Sequence, residues 1–431
     1  MSPITLFWFR RDLRLNDNHA LHKALQEGNV LPIFIFDINI LNKLQDRKDK
    51  RLTFIYNELL HLKDRLEEIN STLLIFYGEP LSIIKKLTED YPVSKLYYNK
   101  DYEPYALERD KKITAHLKQL SVSVSSFKDQ VIFEENEIVK NNQQAYTVFT
   151  PYSRKWKEKL STENIQPFPS ENFLHGFIKL DKSRTPDLKD IGFEPCHCSF
   201  PLKEPDIDII KNYHNTRDIP SVNGTSRLSV HLRFGTLSIR QLVKIALENN
   251  PVYLNELIWR EFYMMILWHF PQTEEQSFKK EYDQLEWKND ENDFKRWCEG
   301  KTGYPIVDAG MRELNETGFM HNRLRMITAS FLTKHLLIDW RWGEAYFADK
   351  LLDYEQASNV GGWQWAASTG CDAVPYFRIF NPELQTQKFD PEYKYIKQWV
   401  PEFNTPTYPK PIVDHQFARE RALQAFKKIK R

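Results

Sequence analysis

Thr5-Leu-Phe-Trp-Phe9 and, after a helix-length gap, Leu31-Pro-Ile-Phe-Ile-Phe-Asp37 are the two runs whose reading decides the fold. Both are apolar with little alternation, the pattern of strands buried on both faces. Three more β-rich runs follow at Thr72–Tyr77, Leu96–Asn99 and Val122–Phe127, with amphipathic stretches such as Arg51–Ile69 and Leu81–Tyr91 between the runs. This alternation predicts an α/β domain over residues 1–130, a parallel sheet covered by helices on both faces. Such sheets bind ligands beyond the carboxyl ends of their strands. Arg10-Arg11-Asp12-Leu13-Arg14 falls at such an end, and two readings of it stay open: a nucleotide-like site, or an ion-paired loop. The chain has neither the Gly-x-Gly-x-x-Gly dinucleotide fingerprint nor a Gly-x-x-x-x-Gly-Lys-Ser/Thr P-loop.

From 131 to 205 the pattern dissolves. Asn141-Asn-Gln-Gln144 and the prolines 167, 169, 186, 195, 201 and 205 predict a long interdomain connection draped over the surface. Beyond it the strand signals nearly vanish. Periodic segments at Leu237–Leu247, Leu254–Trp268, Pro305–Asn315, Asn322–Trp340 and Ala345–Leu352 predict an all-helical domain over 206–431.

The 431 residues allow about two domains. No stretch is long and apolar enough for a bilayer, and Ile4–Phe9 is too short for a signal-peptide core, its arginines following rather than preceding it. A cytoplasmic protein without a membrane is expected. Four cysteines in a chain this long form no disulfide framework, which fits a reducing compartment; Cys196-His-Cys198 lacks a second ligand pair, so no metal site is expected. The net charge of +1 does not announce a nucleic-acid partner, but a balanced sum can hide a one-sided basic face. The aromatic content is sharper: nine of the eleven tryptophans fall after residue 250. Core packing accounts for some of them, such as Trp268, Trp297, Trp342 and Trp399.

Asn359-Val-Gly-Gly-Trp-Gln-Trp365 sets a glycine pair before two indoles spaced i and i+2, which reads as a loop approaching a flat ligand closely. Residues two apart point in different directions, so each indole has its own partner. Gly224-Thr-Ser-Arg-Leu-Ser229 precedes an amphipathic run; its hydroxyls and amides suit a phosphate, or simply cap a helix. Helical spacing puts Glu256, Trp259 and Arg260 on one face, a poor core surface but a good wall for a site that stacks a base near phosphate. Asn322, Arg325 and Met326 share another face, with Arg323 looking outward.

With Phe7–Arg14, Gly224–Ser229, Leu254–Tyr263, Gly300–Pro305, Met320–Met326 and Gly361–Pro382 in order and at family spacing, the chain resembles the photolyase/cryptochrome family over nearly its whole length. It most resembles the photolyases that repair cyclobutane pyrimidine dimers. The resemblance implies a Rossmann-like N-terminal antenna domain and a helical domain holding FAD for light-driven repair of damaged DNA. By position, Tyr213 and Thr225, Ser226, Arg227, Leu228 and Ser229 would bind the cofactor's phosphates and adjoining groups. Asn322, Arg325, Asp353, Glu355 and Asn359 would line the isoalloxazine, with the Asn359 amide at the flavin N5. At Glu355 many relatives carry Asp, which leaves the role of that side chain open. Trp363, Trp340 and Trp287 match a hopping chain from the surface to the flavin. Trp259 and Trp365 would stack on a flipped dimer, Glu256 would hydrogen-bond its carbonyl edge, and Met326 would pack nearby. Arg217, Arg260, Arg323 and Arg378 would meet the DNA, the phosphates falling to Arg217, Arg323 and Arg378. Cys371 stands where threonine or another small residue is expected, and no role is assigned to it.

Tyr102-Glu-Pro-Tyr105 with Glu108-Arg-Asp110 lies where the family's antenna chromophore binds, without deciding between folate, deazaflavin, a second flavin or none. A monomer that is nucleoid-associated when bound to DNA is expected. A cryptochrome-type photoreceptor is the competing reading. The short basic tail Lys427–Arg431 and the amide at Asn359 weigh against it. A (6-4) photolyase would need a histidine acid/base near His321; a nucleotide-binding flavoprotein without light chemistry would leave the indoles unexplained.

Overall fold

The structure, a computed structural model, describes residues 3–429. The five apolar runs become five parallel strands: β1 (Ile4–Phe9), β2 (Val30–Asp37), β3 (Leu74–Gly78), β4 (Val93–Asn99) and β5 (Ser123–Phe127). Their order is β3-β2-β1-β4-β5, so the winding reverses between β1 and β4. Every residue of β1 and β2 is buried, the reason those two runs carry no polar alternation. Arg10 and Asn99 follow or end the two strands at the reversal, the point where α/β sheets open a crevice.

Two compact units emerge, and they interleave along the chain. One comprises Met1–Ile138, Trp156–Pro205 and Arg227–Glu248; the other Val139–Lys155, Asp206–Ser226 and Asn249–Arg431. The expected boundaries at 130 and 205 therefore shift. The stretch read as a draped linker contains the helix Phe149–Lys159 and buries Tyr152 and Trp156 at 1% exposure each. Its prolines obscured those aromatic anchors. Arg227–Glu248, read as part of the helical domain, joins the sheet unit through Arg240, which binds Asp17 at 2.9 Å and Asp129 at 2.8 Å.

The arginine segment is ion-paired, as one of its two open readings expects. Arg14 binds Asp129 at 2.6 Å, Arg11 binds Asp101 and Glu103, and Arg10 binds Asp110 at 2.7 Å. In the sheet unit Cys196 and Cys198 are joined to each other, a single local bridge where the sequence offered no disulfide framework; their Cα atoms lie 5.6 Å apart, within reach of a bond.

The second unit is built from helices, among them Pro251–His269, Pro305–Thr317, Asn322–Ser330, Trp340–Lys350, Gln356–Ala367 and His415–Ile429. The expected single helix 322–340 is broken. A π-turn at Phe331–His335 is followed by Leu337 at φ 53°, and Asp339 then caps a new helix through Arg341 N–H. Trp340 thereby opens a helix instead of ending one. The last helix reaches Ile429; Lys430 and Arg431 of the basic tail lie outside the described residues.

Candidate active site

Asn250 accepts hydrogen bonds from Val252 and Tyr253 N–H, and Pro251 follows at the first helical position, which fixes where the helix Pro251–His269 starts. One turn in, Glu256 accepts from Arg217 at 2.6 Å. Burial raises the Glu256 carboxyl above its ordinary value while Arg217 pulls it back down. Trp259, one turn further, stacks flat on Phe149 with ring centroids 3.7 Å apart and planes 6° apart. One indole face is taken, and Arg260 is half-buried beside it.

The Gly-Gly-Trp-Gln-Trp segment is helical, correcting the close-approach loop. It lies inside Gln356–Ala367, where its glycines let helices approach. A Cβ on Gly361 would stand 2.2 Å from the Tyr263 ring, and one on Gly343 would stand 2.1 Å from the Trp363 ring. Gly362 faces open space, with nothing within 4 Å of such a Cβ. Glu355 is the cap of this helix: its oxygens accept from Ala357 N–H at 3.3 Å and from Ser358 N–H and hydroxyl at 2.9 and 2.7 Å. Its side chain holds the start of the site helix.

Asn359 is buried on this helix. Both hydrogens of its Nδ2 are spent on Glu344, at 3.1 Å to the carbonyl and 2.8 Å to Oε1. Oδ1 is therefore the amide atom offered to a ligand. Burial pushes the Glu344 carboxyl up to about 7, with the Asn359 bond opposing and Glu274 adding to the rise. Arg325 binds Asp353 through one nitrogen at 3.1 and 2.9 Å and donates to Met320 O at 2.8 Å. An oriented amide oxygen, a neutralised guanidinium and an open glycine edge fit the flat, polar-edged ring of a flavin.

The family model described as the FAD binding domain of DNA photolyase matches residues 253–406, and the one described as DNA photolyase matches 5–172. The deoxyribodipyrimidine photo-lyase of Escherichia coli strain K12 is 38% identical, with 98% of each chain covered. The chain belongs to the DNA photolyase family. Among solved structures, a class III photolyase from Agrobacterium tumefaciens matches with TM-score 0.89 at 33% identity, covering 100% of this chain and 98% of that one. An archaeal photolyase from Sulfolobus tokodaii, described with two FAD molecules, matches with TM-score 0.85 at 34% identity, covering 98% and 99%.

In this photolyase-family chain the three hopping-chain candidates share one hydrophobic cluster. Trp363 and Trp340 are buried at 2% and 1% exposure, and Trp287 packs part-buried against the same cluster, its ring edge-on to Phe426. The ring nearest Trp363 is Phe347 at 4.9 Å, and another indole, Trp297, lies at 6.0 Å; the Trp297 Nε1 donates to Thr328 O, a core role. Trp365 is half-buried, and its carbonyl accepts from Val374 N–H at 3.3 Å.

The DNA candidates divide by pairing. Arg217 is engaged by Glu256. Arg323, expected to point outward, is drawn in by Asp218 at 2.5 Å and lies over the Phe389 ring and near Met326 Sδ. Arg378 is exposed. Asn322 is exposed at the start of its helix, Tyr213 is buried edge-on to Tyr253, and the Ser226 hydroxyl meets Tyr253 OH at 2.8 Å with Thr225 half-buried beside it. Arg227, Leu228 and Ser229 belong to the sheet unit; Leu228 stands at the N-cap of the helix Ser229–Phe234 without a side-chain cap bond, so hydroxyl capping is absent there.

At the antenna segment Tyr105 OH donates to Asp37 at 2.6 Å, and Arg109 sits 4.7 Å over Trp8 and binds Asp110 at 3.0 Å. Sequence reasoning missed Glu344 and Phe149. The first stands in an ordinary helical run fifteen residues from its partner; the second lies in the apparent linker.

Proposed function

We propose that the chain is a deoxyribodipyrimidine photo-lyase, a carbon–carbon lyase that splits cyclobutane pyrimidine dimers in DNA under light. The full-length likeness to proteins of that name carries this reading, and the Glu256–Trp259 helix face supports it. Bound FAD supplies the light-excited electron donor. Asn359, fixed by Glu344, offers Oδ1 as an acceptor to a ring N–H; Arg325 with Asp353 borders the ring, and Tyr213, Thr225 and Ser226 hold the phosphate-bearing part.

Trp259 and Trp365 stack against the extruded pyrimidines, and Met326 fills the space beside them. Glu256 hydrogen-bonds a pyrimidine carbonyl and stabilises the negative charge that develops on it. Arg378 meets a flanking phosphate directly. Arg217 and Arg323 do so by exchanging a carboxylate for it, and the exchange at Arg217 leaves Glu256 closer to its proton-bearing form. Trp363, Trp340 and Trp287 would pass an electron from an external reductant at the protein surface toward the bound cofactor. The protein acts as a cytoplasmic monomer, and an antenna chromophore lies against Tyr105 and Arg109; extraction and an absorption spectrum identify it.

The test is direct. Purified, photoreduced protein is mixed with an oligonucleotide carrying a thymine dimer and lit with blue light. Recovery of intact thymines above a dark control is expected, and its absence with reduced FAD bound sinks the repair reading.

A further inference from the structure

We propose that Phe149 is a positioning residue of the lesion clamp, holding Trp259 in one orientation and tying it to the loop behind Trp365; this rests on the repair reading above. The ring overlap is close, at 3.7 Å and 6°, and Phe149 also meets the Phe262 edge at 5.9 Å. Phe149 is the first residue of the helix Phe149–Lys159, where a backbone N–H has no partner within the helix. Its N–H instead donates to Asp372 Oδ2 at 3.0 Å, a carboxylate placed where the helix dipole favours it. Asp372, at φ 41°, follows the helix that carries Trp365, and two residues later Val374 N–H returns to the Trp365 carbonyl.

A turn beyond Phe149, Tyr152 is buried, its hydroxyl donating to Glu261 at 3.3 Å and its ring lying 5.2 Å from Phe262. The backbone on which Phe149 rides is thus pinned at its start by Asp372 and one turn on by Glu261. A ring so anchored is not a plug that a base pushes aside; it uses one indole face permanently and leaves the other for the lesion. A platform fixed beforehand loses little freedom when a base stacks on it. Core packing alone would account for one such contact, but not for a phenylalanine whose ring meets one stacking indole and whose N–H binds the loop that follows the helix of the other.

The experiment uses the flavin-loaded full chain and duplexes with and without one thymine dimer. Phe149→Ala and Phe149→Leu should weaken dimer affinity roughly three- to tenfold, the worth of one aromatic pair. Affinity for the undamaged duplex, flavin content and photoreduction rate should stay unchanged. Phe149→Tyr should restore dimer affinity, and in a Trp259→Ala background Phe149→Ala should add almost nothing. Unchanged dimer affinity, equal losses on both duplexes, or independent losses in the double variant each overturn the proposal. If Phe149→Ala loses flavin, Phe149→Leu decides, since it keeps apolar volume without a flat face. A wild-type protein with no preference for the dimer defeats the repair reading instead.

Discussion

Replacing Glu344 with Gln should make the protein more stable at neutral and alkaline pH and leave it nearly unchanged in mild acid. Burial moves the Glu344 carboxyl from an ordinary 4.5 to about 7. That difference, at about 1.4 kcal/mol per unit, has a ceiling near 3 kcal/mol, and partial solvent contact brings the expectation to about 1–3 kcal/mol. The direction follows from proton linkage. The folded protein keeps the proton between 4.5 and about 7 while the unfolded chain has released it, so this group's contribution to stability falls as pH rises through that window. Gln keeps an oxygen for the Asn359 amide and never ionises. Thermal unfolding of the flavin-loaded variant and wild type should therefore nearly coincide at about pH 5 and separate at about pH 8 by roughly 1–4 °C in favour of the variant. An equal separation at both pH values would mean altered packing, and a less stable variant at about pH 8 would mean the ionised carboxylate is favoured where it sits. Either result refutes the reasoning.

Arg240→Met should cost about 3–5 kcal/mol by urea unfolding, because Asp17 and Asp129 would keep buried charge without their shared partner. Trp340→Phe should abolish flash-induced photoreduction yet spare repair by chemically reduced protein, since relay residues serve only to restore the cofactor; repair lost with the reduced protein would place Trp340 elsewhere in the mechanism. Gly361→Ala should lower the melting temperature, its Cβ falling 2.2 Å from Tyr263 and costing about 1–3 kcal/mol. Gly362→Ala faces open space, so it should leave stability intact and reduce FAD retention measured by absorbance.

The sheet was legible because its first two strands are apolar on both faces, a pattern that long solvated helices do not produce. Helix positions in the second unit were legible from periodicity, but the break near Leu337 was not. No glycine or proline announces it there; a non-glycine residue in the left-handed region is held by tertiary contacts. Among site residues, the likeness to a family located the Asn359, Trp259 and Arg325 positions, while spacing alone located only faces. What escaped was pairing across the chain. Glu344 and Phe149 act through partners on other helices, and the capping of Ala357 and Ser358 by Glu355 is likewise a contact that spacing alone does not show. Arg323 was misplaced because helical spacing says nothing of Asp218, which draws it inward.

The interleaving of the two units bears on how the chain is made. Asp17 and Asp129 emerge from the ribosome long before Arg240, the cation both must bind, and the strap around Phe149 emerges before the helix bearing Trp259. Neither unit can finish folding during synthesis of its first segment, and the sheet unit waits until Glu248 is free. A fragment beginning at residue 206 would lack the strap, and one ending at 205 would leave two buried aspartates without their arginine. Cutting this protein into its halves therefore yields no halves, and swapping either unit between relatives requires exchanging three stretches of sequence at once.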